Sequence, residues 1–466
     1  MIQGSKLYRA VQHARTAVTA TAVKQASALS PVFGTSEEGY RLASLAQPSV
    51  WPGLSRVAIV FKAGSRYELS GKDRGITHLI RRCCGLSTAD FTAVNMVRHF
   101  QQMGARVTCT TTREHMIYTV DVAPNFATRA GYLLARMATG TSYYEWELKS
   151  TAYKLMRKDI DLLNRRNLPA LAMELLHQAA FGESSAGTGL GHSVFAPADR
   201  VGSHSFEQIE SFHKHFFVPA NCTISLVGHD PEADGLELLR EIKAGLHVRA
   251  PQKVPEKTGK VHGFVGGDIR RDLAAASSVT ACIAWPTPGT GSQQLPYDVA
   301  SCLLSGSVGR ISYGGCSSLT HLGGQSGDDE YTQPIAFHKA YNGHGLLGVS
   351  VCGPTAKVVG DRLAQIVTSL KTAKITAEEL ARAKSVCKAN ICMSAESAEF
   401  LATDLAVRAS GPENMYESPQ QQISAVDRLT VTQVNDAIKQ AVSSPHCALS
   451  IVGPEANEIL PLNVLL

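Results

Sequence analysis

The chain has 466 residues, 44% of them hydrophobic and 18% charged; it is too long for one compact core and too apolar for a disordered chain, so two or more domains are expected. A net charge of +5, partly N-terminal, argues against a dense nucleic-acid-binding patch, and no apolar run reaches the roughly 18 residues that a membrane-spanning helix needs. The eleven cysteines are scattered through apolar segments without C-x-x-C pairs, as expected for buried thiols in a reducing compartment. Adjacent Cys83 and Cys84 read as small apolar residues of a packed helix.

Residues 1–36 carry Lys6, Arg9, Arg15 and Lys24, many Ala, Thr, Ser and Val, and no acid before Glu37. This is the composition of a mitochondrial targeting presequence or a disordered N-terminus, and it lacks the apolar core of a secretory signal. Strands follow at Val57 to Lys62 and Arg106 to Thr111, and a third from His115 ends at Pro124, ahead of a helix bearing Gly131, Leu134 and Ala135. Glu145 to Arg165 is a long amphipathic stretch. Phe206 to Gly228 reads as a helix, a turn at Pro219 and an apolar strand from Cys222 to Val227. His213 and His215 on that helix stand at i and i+2 and point to different faces, so a helical surface is expected there and not a metal pair.

From Ala250 the run APQKVPEKTGK has linker composition. Ser305 to Gly327 is glycine-rich but contains no lysine, so it does not match a phosphate-binding loop. A strand from Gly345 ends at Pro354 and leads into a helix with Gly360, Leu363 and Ala364. Thr376 to Arg408 reads as one long helix opened by a Thr376–Glu379 capping box. Val431 to Gly453 then repeats the pattern of Phe206 to Gly228 without a gap, with Pro445 for Pro219, Cys447 for Cys222 and Gly453 for Gly228. The strand–Pro–helix segments from His115 and Gly345 form a second matching pair in the same order. The chain therefore reads as two homologous halves, 38–245 and 262–460, joined by a linker at 246–261. The expected class is α+β, each half a sheet with helices packed on one face.

The run Gly64 to Glu68 (GSRYE), a helix opening at Gly75-Ile76-Thr77-His78, and Thr110 to Val122 (TTTREHMIYTVDV) resemble the mitochondrial processing peptidase and bc1 core protein family, within the pitrilysin-type metallopeptidases. The likeness continues through Trp146-Glu147, Leu176-His177, Met393 to Leu401 and Gln421 to Asp427. Active relatives carry H-x-x-E-H on the helix near Gly75. Histidines at i and i+4 share a face and can reach one zinc, the Glu activates the bound water, and a further Glu roughly seventy to eighty residues on completes the ligands. Here the matching positions are His78, Leu79, Ile80, Arg81 and Arg82. Arginine stays protonated and has no free lone pair, so Arg81 and Arg82 would repel a dication. Leu155 to Asn164, where the distal Glu should fall, offers only Asp159 and Asp161. His78, Arg81 and Arg82 are thus expected to be a degenerate zinc motif, with no catalytic residue, metal or cofactor.

For the core-protein branch the resemblance implies a noncatalytic role in respiratory complex III, peripheral on the matrix side of the inner mitochondrial membrane. The partners there would be core protein 1, cytochrome b, cytochrome c1, the Rieske iron-sulfur protein and the small subunits. For the processing-peptidase branch it implies a noncatalytic α-subunit that binds presequences, a reading to which the glycine-rich stretch lends weight. No nucleic-acid partner is expected on either branch.

Overall fold

A computed structural model describes residues 31–36, 38–45, 53–68, 71–183, 189–228, 235–247, 263–291, 293–305, 332–372, 374–411 and 416–465. The first half forms a sheet from β1 (Val32–Thr35), β2 (Arg41–Leu45), β3 (Ser55–Phe61), β4 (Arg106–Thr111), β5 (Met116–Val122) and β6 (Cys222–Val227), in the order β1-β2-β6-β3-β5-β4. The second is built from β7 (Gly267–Asp272), β8 (Val279–Thr287), β9 (Gln333–Tyr341), β10 (His344–Gly353) and β11 (Ala448–Gly453), ordered β7-β11-β8-β10-β9. Apart from β1 the two orders are the same. In each, one parallel pair (β2 with β6, β7 with β11) adjoins antiparallel neighbours. The duplication inferred from matched segments is therefore visible in strand pairing, because β-branched runs closed by Gly228 and Gly453 recur at equivalent central positions.

The helices of the first half are α1 (Ile76–Arg82), α2 (Ala93–Gln102), α3 (Ala127–Thr139), α4 (Tyr153–Arg166), α5 (Leu168–Phe181), α6 (Phe206–Phe216) and α7 (Gly235–Gly245). Those of the second are α8 (Leu295–Ser305), α9 (Ala356–Thr372), α10 (Ala377–Ala395), α11 (Ala398–Ala409), α12 (Pro419–Arg428) and α13 (Val431–Val442). Strand alternation sends Val57, Ile59 and Phe61 to one face of the first sheet, against Ala130, Leu133 and Leu134 of α3. In the second sheet Val279, Ala281, Ile283 and Trp285 likewise meet Val359, Leu363 and Ile366 of α9.

The opposite faces are covered by exchange. Leu401, Ala402, Leu405 and Ala409 of α11, from the second half, pack on Ala43, Leu45, Ala58 and Val227 of the first sheet. Leu171, Ala172, Leu176 and Phe181 of α5, from the first half, pack on Cys282, Ala284, Ala448 and Val452 of the second. Two matched hydrogen bonds pin the exchange: Ser225 Oγ donates to the Ala402 carbonyl and Ser450 Oγ to the Ala172 carbonyl, each at 2.7 Å. Both serines lie in the aligned strands, three residues after Cys222 and Cys447. With each fully buried leucine worth about 2 kcal/mol, this clasp is a principal support of the fold.

Four expectations need adjustment. Val32–Thr35 is a strand paired with β2, with Phe33 packed near the clasp and 6.1 Å from the Tyr416 ring, so the end of the segment expected to be a presequence or disordered is built into the sheet. Residues 1–30 lie outside the described residues, as do the glycine-rich 306–331 and the linker apart from Leu246 and His247. Leu246 is buried, and the His247 N–H donates to Thr139 Oγ1 at 2.8 Å, so these two residues belong to the first half. The helix expected from Thr376 to Arg408 is two. The Thr376–Glu379 capping box forms, but Ser397 then accepts from the Phe400 N–H and starts α11 afresh. In place of one regular helix from Glu145, a short turn at Glu145–Glu147 passes through a π-helical segment, Leu148–Ala152, into α4.

Candidate functional site: a charge-filled metal-motif position

Helix α1 opens at Gly75, whose φ of +84° suits glycine. A Cβ there would also sit 2.3 Å from the Ala196 Cβ, so a side chain is excluded twice. The helix N-terminus is satisfied by Glu68 of the GSRYE run. This buried carboxylate accepts from the Gly75 N–H at 2.9 Å, the Thr77 N–H at 3.2 Å and Thr77 Oγ1 at 2.7 Å. Burial raises its pKa to about 7 despite these donors. Glu147, also buried, accepts from Ser87 Oγ at 2.6 Å and from the Ser87 N–H. His177 joins the halves: its Nδ1–H donates to the Met173 carbonyl at 2.7 Å, leaving Nε2 to accept from the Tyr341 hydroxyl at 2.8 Å. These residues, which carry part of the family resemblance, hold the scaffold together.

The structure brings His78, Arg81 and Arg82 around one acid, Asp159 of α4. Asp159 Oδ2 accepts from His78 Nε2 at 2.9 Å and from Arg82 Nε at 2.5 Å, while Arg82 Nη2 pairs with Oδ1. Arg81 Nη2 lies 3.7 Å from the same carboxylate, and its guanidinium stands over the Phe195 ring, 5.3 Å from the centroid. Burial acts to raise the Asp159 pKa, but the hydrogen bonds from Arg82 and His78 outweigh it and hold the carboxyl below its usual range. A fork-to-carboxylate pair thus provides positive charge at the acid.

The imidazole is committed as well. His78 is fully buried, and its Nδ1 accepts from the Ala196 N–H at 3.1 Å. A neutral ring has one acceptor nitrogen, so the proton is on Nε2, pointing at Asp159. Burial first, then the Arg81 charge, lowers the His78 pKa to about 4, so the ring stays neutral at physiological pH. The nitrogen facing the acid therefore has no lone pair to offer. Among the described residues no group of three or more His, Cys, Asp or Glu is placed to hold a metal ion.

His213 is buried with Nε2 2.5 Å from the Tyr143 hydroxyl, whereas His215 bonds the Ser211 carbonyl on its own helix at 2.7 Å, so the two rings diverge. All ten cysteines among the described residues are free thiols, five of them buried. Cys83 packs in the core and burial pushes its thiol pKa up. Asp159 is the residue whose role sequence reasoning missed. In sequence it reads only as a poor zinc ligand, although two cations at i+3 and i+4 on a buried helix demand a carboxylate partner.

Among the described residues no helix is long and apolar enough to cross a membrane. Residues 52–193 match the family model for insulinase, peptidase family M16, and residues 203–387 match the model for the M16 inactive domain. The chain is similar to a probable mitochondrial-processing peptidase subunit alpha-1 of Arabidopsis thaliana, 24% identical over 88% of this chain and 79% of that protein. It is similar to the cytochrome b-c1 complex subunit 2 of Homo sapiens, 24% identical over 84% of this chain and 83% of the relative. The Schizosaccharomyces pombe subunit 2 is 22% identical over 89% and 91%. A crystal structure of a protease from Helicobacter pylori shares the fold, with a TM-score of 0.77 at 16% identity, covering 91% of this chain and all of that one. With both sheets of the duplicated fold in place and the two models spanning well over half its length, the chain belongs to the M16 peptidase family.

Proposed function

We propose that this chain is a noncatalytic M16 subunit of mitochondrial respiratory complex III, the counterpart of core protein 2. In that role it stabilises the assembly in which electrons pass from ubiquinol to cytochrome c. The observation that carries the noncatalytic reading is the Asp159 carboxylate, bound by Arg82 and His78 where a metallopeptidase needs open ligands. The halves 38–245 and 262–460 then serve as a rigid body on the matrix side of the inner membrane. Its neighbours would be core protein 1, cytochrome b, cytochrome c1, the Rieske protein and small subunits. The comparisons match both branches at similar identity, 24% and 22% for two bc1 subunit 2 proteins and 24% and 25% for two processing-peptidase α-subunits; the core-subunit reading is supported by the resemblance at Met393 to Leu401 and Gln421 to Asp427.

The glycine-rich stretch favours the alternative of a presequence-binding α-subunit, to which the identities are equally high, up to 25% for that of Solanum tuberosum. Native-gel separation of gently solubilised mitochondria, with a haem stain on the band containing this chain, separates the two. Co-migration with haem in a large complex is expected, and a small haem-free heterodimer would replace this reading with the alternative. Stoichiometric zinc retained by the purified chain through dialysis against a chelator would overturn both.

A further inference from the structure

The outward side of α4 is strongly basic. Met156 and Leu163 turn inward and Asp159 faces α1, which leaves Lys154, Arg157, Lys158, Arg165 and Arg166 exposed. Asp161 pairs with Arg165 at 2.5 Å, but Lys154, Arg157, Lys158 and Arg166 have no ion-pair partner among the described residues. Lys154, Lys158, Asp161 and Arg165 follow at helical spacing and lie along one line of the helix surface. Four-residue steps back through the wider π-helical segment Leu148–Ala152 extend that line to exposed Ser150 and Trp146. The Trp146 ring is 66% exposed and stacks on that of Tyr144, with centroids 6.4 Å apart. Leu155 and Leu162, both exposed, lie beside the cations on one flank of the helix.

We propose that this face docks directly on an anionic lipid bilayer, with the cations of α4 on the lipid phosphates and the Trp146–Tyr144 pair seated among the headgroups. Charge complementarity carries the argument. Unpaired cations spread over about 18 Å of helix are attracted to a surface that is negative throughout, and they need no carboxylates at matching positions. The exposed side of a helix is a ridge with no groove for an acidic peptide to enter, whereas headgroups close around a ridge. Indole and phenol rings, apolar in body and polar at one edge, favour the headgroup level, and the two leucines add apolar area beside them. A basic presequence, the ligand of the alternative reading, is repelled by the same face. The docking face goes beyond the complex III assignment and does not depend on it, so the native gel and the vesicle test can fail separately.

The test is co-sedimentation of the purified full chain with vesicles of phosphatidylcholine alone and of phosphatidylcholine mixed with cardiolipin. Binding is expected only to the cardiolipin vesicles, and it should fall steeply with added salt. Combining Lys154→Glu, Arg157→Glu and Lys158→Glu should weaken it about a hundredfold, since each cation at such a surface counts for roughly a factor of five. Brominated lipid should quench the fluorescence of the bound chain, and Trp146→Phe should remove most of that quenching, because Trp285 is buried in the second core. Should the charge-reversed chain fail to fold, the quenching and its loss in Trp146→Phe decide alone. Equal binding to both vesicle kinds, or none, overturns the proposal. So does cardiolipin binding undiminished by the charge reversal, as the cations of residues 1–36 would produce. Soluble polyglutamate bound in place of vesicles, and lost with the same reversal, would instead assign the face to an acidic protein.

Discussion

Helices α1 and α4 of the first half correspond, by their place in the element order, to α8 and α10 of the second. The same pair of helices is joined in two chemistries. In the first half His78 and Arg82 meet Asp159 across the gap; in the second, Asn390 Nδ2 of α10 donates to the Cys302 sulfur of α8 at 3.8 Å. The sheets and the clasp are alike in both halves, down to the matched Ser225 and Ser450 bonds. The comparison teaches that this gap is not what holds either half together. Its residues differ between the halves, an ion pair in one and a thiol with an amide in the other, while the fold is the same.

Five substitutions, in three groups, probe that separation. The largest effect is expected at the clasp, where Ala172 and Ala402 are fully buried against the opposite sheets. Ala172→Glu or Ala402→Glu forces a carboxylate into an apolar contact and should destabilise the chain by more than about 4 kcal/mol in urea unfolding. Near-native stability in either would mean that the exchanged helices are dispensable. Next in size is the pH dependence of the ion-pair gap. The His78 pKa is lowered to about 4 in the fold, against roughly 6.5 in the unfolded chain. The unfolded state therefore binds more protons between these values, so His78 makes stability fall as pH drops through that window, by about 3 kcal/mol in full. In His78→Gln this component should vanish, flattening the stability difference curve between pH 6.5 and 4; an unchanged slope would show that His78 is not buried neutral. The smallest effects are Ser225→Ala and Ser450→Ala, each about 1 kcal/mol. If the clasp is symmetric the two should agree within a few tenths of a kcal/mol, and a large inequality would mark one arm as dominant.

Much of this was legible in the sequence, and the omissions have physical reasons. The strands Arg106–Thr111 and Cys222–Val227 appear where expected, the second because an interior strand buried on both faces reads as a largely apolar run, the first, at the sheet edge, from its β-branched Val107, Thr108, Thr110 and Thr111. The position of His78, Arg81 and Arg82 on one buried helix was legible from motif spacing. What spacing does not encode is the partner: Asp159 lies on a different helix, and a carboxylate suited to an arginine looks the same in sequence as a poor zinc ligand. The exchange of α5 and α11 was hidden for a related reason. An apolar helix face such as Leu171, Ala172 and Leu176 records that burial is needed, not which sheet provides it. The break before α11 did leave a signal in Ser397, a good N-cap residue inside what otherwise resembled one continuous helix.

The reciprocal placement of α5 and α11 also governs the order in which the chain can fold. The first sheet keeps one apolar face bare until residues 398–409 arrive, and α5 has nothing to cover until β8 and β11 exist. A ribosome or a translocation pore releases the chain from its N-terminus, so neither half can complete itself early, and long-range contacts must close late. Truncation anywhere before Ala409 should therefore expose both halves together, leaving a sticky intermediate in need of a chaperone until almost the last strand is delivered.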